Sequence, residues 1–238
     1  SDLIYRKAVH MIFNQGLLGR ITLIRCQWHR NYIWRRPHID MQFPPGSEYD
    51  VVREYYPDME HFMNWRMYWE YSGGLMTELG SHQLDVCSWV LGGHPTAVTG
   101  VGGNDYWLDD REIFDNVQVF YEFEIHPTAE NRKAFFSSEP TALYTRYQGE
   151  TALERLHTEP YTAKVMYSSI GANAHDGASE QIMGDRGTIL LTTTKGLFFE
   201  EAKAPKLAWG DKAMSKAELA AKAAKVITSG ATHDLSMD

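Results

Sequence analysis

Residues 116–125 read NVQVFYEFEI, and that run decides the fold. Val117, Val119, Tyr121 and Phe123 fall on one side of an extended chain, with Gln118, Glu122 and Glu124 on the other, the period of a strand with one buried face. The run has company. TAVTGVGG (96–103) precedes it across a polar loop. KAFFSS (133–138), AKVMYSSI (163–170), SEQIMG (179–184), GTILLTT (187–193) and GLFFEE (196–201) come after it, with GDRG (184–187) as a tight turn. Strands in succession, without helices alternating between them, predict an α+β fold: a large, mainly antiparallel open sheet with helices packed on one face.

Upstream, Ile4, Ala8 and Ile12 recur at helical spacing and Gly16 is placed to stop that helix, which together with the next two residues makes a linking element over 1–18. GRITLIRCQWHRN (19–31) is rich in β-formers and reads as a strand. Residues 31–63 carry prolines among Trp, Tyr and Arg, and are expected as an ordered excursion across a surface or cleft. From Gly74 to Leu91 the period is helical, with Leu75, Leu79, Val86 and Val90 on one face and Gly92-Gly93 as the stop. Residues 139–160 read as an insertion between strands. A capping box at Ser215 and Glu218 opens a peripheral helix and tail over 212–238. Everything fits one domain, 1–238.

The formal net charge of −8 argues against a nucleic-acid or anionic-membrane surface. No apolar run reaches the roughly 18–20 residues of a membrane span. Two cysteines, Cys26 and Cys87, make neither a disulfide framework nor a zinc pattern. They suit a cytoplasmic setting by default, with export left open because the native N-terminus is not seen.

Glu78, His82, Asp85 and Trp89 fall at i, i+4, i+7 and i+11 and so lie along one helical face. Two readings stay open: a polar face whose carboxylates hold the imidazole, or a proton-transfer strip in which a carboxylate tunes His82. Glu and His four apart also chelate, but no third ligand is signposted and no metal is expected.

The stretch GGLMTELGSHQLDVCSWVLGG (73–93) resembles the glycine-rich helix motif of the Gfo/Idh/MocA (glucose–fructose oxidoreductase/inositol dehydrogenase) family, through Gly73-Gly74, Glu78, Gly80, His82, Asp85 and Leu91-Gly92-Gly93. GLLGRI (16–21), NWRMYWEYSGG (64–74) and EQIMGDRGTILL (180–191) extend the resemblance over about 10–200. It implies NAD(P)-dependent hydride exchange with a carbinol carbon of a sugar or cyclitol. His82 takes the acid/base role and Glu78 stands where the family often has Asp, so both are candidate catalytic residues. Asp85 is carried over as an orienting residue on the substrate side.

The family's nucleotide-binding domain is missing. TGVGGNDYW (99–107) has Asp105 at the last glycine position of G-x-G-x-x-G and no helical period behind it. The Glu-Lys-Pro signature is absent too. The chain therefore resembles the C-terminal domain alone, with NAD or NADP expected in the full-length protein, none on this chain, and no turnover by it.

WHRNYIWRRP (28–37) and NWRMYWEY (64–71) supply aromatic faces and fixed donors of the kind that bind sugars, among them His29, Arg30, Asn31, Trp34, Arg36, Trp65 and Arg66. The plainer reading pairs those arginines with carboxylates and buries the indoles. Two other functions are carried: a non-catalytic dimerisation or carbohydrate-binding module, and part of a glycosidase that uses NAD transiently. The resemblance also implies a homo-oligomer through the open sheet face.

Overall fold

The computed structural model describes residues 3–37, 40, 42–137, 142–201 and 232–234. Helix α1 (Leu3–Gln15) buries Ala8 and Ile12, and Gly16, at φ +63°, stops it by donating its N–H to the Ile12 carbonyl at 3.1 Å. Strand β1 (Ile21–His29) is next, then an excursion holding the short helices α2 (Asp50–Tyr55) and α3 (Met59–Met63). A π-helical turn (Met76–Gly80) runs directly into α4 (Ser81–Leu91), and Gly92, at φ +77°, closes it. Beyond lie β2 (Ala97–Gly103), β3 (Asn116–Ile125), α5 (Arg132–Phe135) and α6 (Ala142–Thr158). The chain finishes in β4 (Tyr161–Ile170), β5 (Ala178–Gly184), β6 (Gly187–Thr192), β7 (Gly196–Glu200) and β8 (Thr232–Asp234).

The strands form one open sheet in the order β2-β3-β4-β1-β5-β6-β7-β8. Every neighbouring pair is antiparallel except β1 and β4, which run parallel. The expected α+β architecture is the observed one. Its core lies between the sheet and the helices: Ile24 and Cys26 of β1, Val165 and Tyr167 of β4 and Ile182 of β5 are buried with Leu79, Cys87 and Leu91 of the helix. Tyr5 of α1 reaches the same layer and donates to the buried Glu180 carboxylate of β5 at 2.7 Å. Across the sheet, Arg25, Phe120 and Lys164 are exposed.

One strand prediction fails. KAFFSS is not extended; α5 takes its place. Thr128 and Asn131 exchange hydrogen bonds, the Thr128 N–H to Asn131 Oδ1 at 2.8 Å and the Asn131 N–H to Thr128 Oγ1 at 3.2 Å, and turn the chain. Phe135 and Phe136 then enter the core one after the other instead of alternating. The region expected as an insertion, 139–160, contains α6, kinked at Gly149 with φ +76°. The helix expected from Ser215 and Glu218 lies outside the described residues. Within 212–238, Thr232–Asp234 pairs with β7.

Candidate functional site

Helix 74–91 carries the strip, and its π turn changes which residues share a face. The Ser81 N–H reaches back five residues to the Met76 carbonyl. Such a turn holds roughly one residue more than an α turn, so it rotates the remainder of the helix by about 100°. The buried face accordingly runs Leu75, Leu79, Gln83, Cys87, Val90 and Leu91, while Val86, expected inside, is only partly buried. Gly74 begins the helix at φ +64°, a conformation that calls for glycine. At buried Gly80 a β-carbon would lie 3.1 Å from the ring of Tyr167, so helix and β4 touch almost backbone to ring.

Glu78 and His82 open into a cavity of about 500 Å³. Its first wall is Trp28, Arg30, Tyr32, Trp34 and Arg36, alternate residues of β1 and its extension. Phe62, Met63, Asn64, Trp65 and Arg66 form the second, and Leu79 shares the helical side. The Trp28 and His82 rings sit 5.6 Å apart at 46°. Asn64, 2% exposed, clamps the first wall: its Oδ1 accepts from the Arg36 N–H at 2.7 Å, and its Nδ2 donates to the Arg36 carbonyl at 3.2 Å. Outside the wall, Arg35 pairs with Glu60 and, at 3.2 Å, with Asp109. Asp109 also takes Arg111 at 2.6 Å. Burial opposes the Asp109 charge, but the two guanidiniums hold its pKa below the usual value.

Of the residues expected at the site, Glu78, His82, Arg30, Trp34, Arg36, Trp65 and Arg66 come together here. His29, Asn31 and Asp85 do not line the cavity. Successive strand side chains point to opposite faces, and His29, the residue after Trp28, takes the far face. There its Nδ1 is 2.9 Å from the His175 carbonyl and its Nε2 3.0 Å from Ser168 Oγ. Asn31 is exposed in a bridge to Ala172. Asp85 and Trp89, further along the same α-helix as His82, are exposed. Tyr32, Phe62, Met63 and Leu79 were not expected. Tyr32 was legible, since it continues the alternation Trp28, Arg30.

The cavity's charges are unevenly paired. The Arg66 Nε donates to Glu78 Oε2 at 3.0 Å and its guanidinium stacks on Trp65 at 4.2 Å. Arg30 lies between the Trp28 and Trp34 rings, 4.8 and 5.6 Å from their centroids. Burial pulls its pKa below the ordinary value, and the Arg66 charge adds to the effect. Neither Arg30 nor Arg36 has a carboxylate partner among the described residues.

Gly100, Gly102 and Gly103 lie in the edge strand β2, antiparallel to β3, and lead into no helix N-terminus. Among the described residues no group of three or more His, Cys, Asp or Glu is placed to hold a metal ion, and no helix is long and apolar enough to cross a membrane.

The family model described as the GFO/IDH/MocA C-terminal domain matches residues 5–131, more than half the chain. No curated protein matches it. Among solved structures it is similar to a levoglucosan dehydrogenase in complex with NADH and levoglucosan, at 13% identity and TM-score 0.47, over 84% of this chain and 43% of that one. An oxidoreductase from Thermotoga maritima is similar at 14% identity and TM-score 0.47, over 82% of this chain and 41% of that one. The chain thus spans less than half the length of either.

Proposed function

The chain belongs to the Gfo/Idh/MocA family, residues 5–131 matching that family's C-terminal domain, and we propose that its cleft is the substrate-binding and acid/base half of an NAD(P)-dependent oxidoreductase acting on a sugar, cyclitol or glycoside. One observation carries this reading. His82 and Glu78, one turn apart on a helix, face the same cavity as three indoles and three guanidiniums. Indole faces suit the C–H surfaces of a sugar ring, and guanidinium and amide groups donate to its hydroxyls.

In the oxidative direction the His82 imidazole accepts the proton of the hydroxyl on the reacting carbon, and in the reductive direction it returns it. Trp28 backs the imidazole from the strand side. Glu78 acts through Arg66, fixing that guanidinium at the cavity wall. The nicotinamide of NAD or NADP supplies the hydride acceptor. Because the glycine-rich phrase is an edge strand, these 238 residues are expected neither to hold that cofactor tightly nor to turn over.

The test has two arms. The full-length protein is assayed for NAD(P)-dependent oxidation across a panel of sugars, cyclitols and glycosides, with glycoside cleavage monitored in parallel. The 238-residue chain is titrated with NADH by calorimetry. Turnover by the first and no heat from the second are expected. No oxidation of any substrate overturns the enzymatic reading, and micromolar NADH binding by the chain alone overturns the division of labour. Glycoside cleavage without net NADH identifies transient oxidation.

A second reading has its own support. On the sheet face away from the helices Phe120 is 48% exposed and Val101, opposite Gln118 beside it, 72%. Self-association through that face covers them. Light scattering that finds only a monomer counts against it.

A further inference from the structure

We infer that the ligand of the cleft carries an anionic group beside its hydroxyls, a carboxylate or a phosphate, and that Arg30 reads it. The inference deepens the proposed function and rests on it. It starts from a contrast within the chain. Arg35 and Arg111, just outside the cavity, are matched to Glu60 and Asp109, Arg53 to Asp50 on its own helix, and Arg155 to Glu159 just past the end of its helix. Acidic groups are in excess, with a formal net charge of −8. Even so, the cavity wall gathers Arg30, Arg36 and Arg66, of which only Arg66 has a carboxylate.

Arg30 is the decisive group. It is half-buried between the Trp28 and Trp34 rings. Those rings hold the guanidinium plane and offer it quadrupole attraction, but they accept no hydrogen bond in its plane. Burying a charge without a hydrogen-bonding counter-charge is costly, and Arg66 on the opposite wall adds repulsion. A neutral sugar hydroxyl relieves little of that cost. A planar carboxylate, or a phosphate edge, meets the guanidinium through two parallel N–H···O bonds and neutralises it. Asn64 fixes the backbone of Arg36, the second uncommitted cation, at the same wall.

The test titrates the protein with matched pairs: D-glucose, D-glucuronate and D-glucose 6-phosphate, then D-galactose, D-galacturonate and D-galactose 6-phosphate. An anionic member binds about tenfold to a hundredfold tighter than its neutral partner at low salt. Arg30→Met removes that difference, weakening the anionic sugars about tenfold or more beyond any loss for the neutral ones, whereas Arg30→Lys keeps part of it. Preference for the uronates assigns a carboxylate, and preference for the sugar phosphates a phosphate. Equal affinity for neutral and anionic members overturns the inference and leaves the sugar-binding reading intact. Binding of no member overturns that reading as well. If Arg30→Met weakens neutral and anionic sugars alike while circular dichroism is unchanged, Arg30 is a packing residue and the inference fails.

Discussion

Arg66 donates from Nε to Oε2 of Glu78 at 3.0 Å. The carboxylate one turn ahead of His82 is therefore committed to a guanidinium on the facing wall, and its substitution acts first on that wall. Glu78→Gln in the full-length protein raises KM by about tenfold, the worth of one charge-assisted hydrogen bond, with a much smaller change in kcat. Steady-state kinetics separates the two. A collapse of kcat at unchanged KM makes Glu78 a direct proton carrier instead.

Gly80 sits where helix and sheet are closest. A methyl group there lies 3.1 Å from the ring of Tyr167, itself fully buried, and 3.1 Å from the terminal methyl of Met76. Overpacking of this kind costs about 1–3 kcal/mol, against the roughly 0.5–1 kcal/mol that alanine gains over glycine in a helix. Gly80→Ala is expected to lower stability by about 1 kcal/mol in urea denaturation.

Asp115, 2% exposed, accepts the N–H groups of Asp105, Tyr106 and Trp107 at 3.1, 2.8 and 2.7 Å. Burial works against its charge, but those three donors prevail and its pKa falls below the usual carboxylate value. With the folded pKa below the unfolded one, Asp115 contributes stability that is complete above the unfolded value and disappears as pH falls through the folded value. Asp115→Ala strands three donors and is expected to cost about 2–4 kcal/mol at neutral pH. Its thermal midpoint converges on the wild type in acid. A gap that stays constant with pH contradicts this account.

Cys26 and Cys87 face each other across the helix–sheet seam, their sulfurs 3.9 Å apart and both buried. The hydrogen bond to Cys26 and burial push the Cys87 thiol well above its ordinary pKa. Reactivity belongs to the thiolate, so neither thiol is expected to react with a disulfide reagent in the native protein, and both react after denaturation. Rapid native labelling shows the seam to be open.

The sheet was legible because alternation is local. Val117 to Phe123 need only their neighbours to declare a buried face, and Val117, Val119, Tyr121 and Phe123 are buried. The parallel contact of β1 with β4 was not, since it joins Ile24 to Val165 across most of the chain. At the site the helix was readable but its π turn was not, because no side chain near Met76–Gly80 signals a five-residue hydrogen bond. Asp85, beyond that turn on α4, is exposed and lines no part of the cavity. The error at His29 and Asn31 had a different source: the alternation set by Cys26 and Trp28 continues past the end of β1 and selects Arg30, Tyr32, Trp34 and Arg36.

In the proposed reaction His82 moves the substrate proton. Its side chain is exposed in the cleft, so removing it leaves the fold intact. The direct measurement is kcat/KM of His82→Ala in the full-length protein, with cofactor affinity and thermal midpoint measured alongside. A loss of about 10²–10⁴-fold is expected, with affinity and midpoint unchanged. A variant that keeps wild-type turnover at every pH contradicts it.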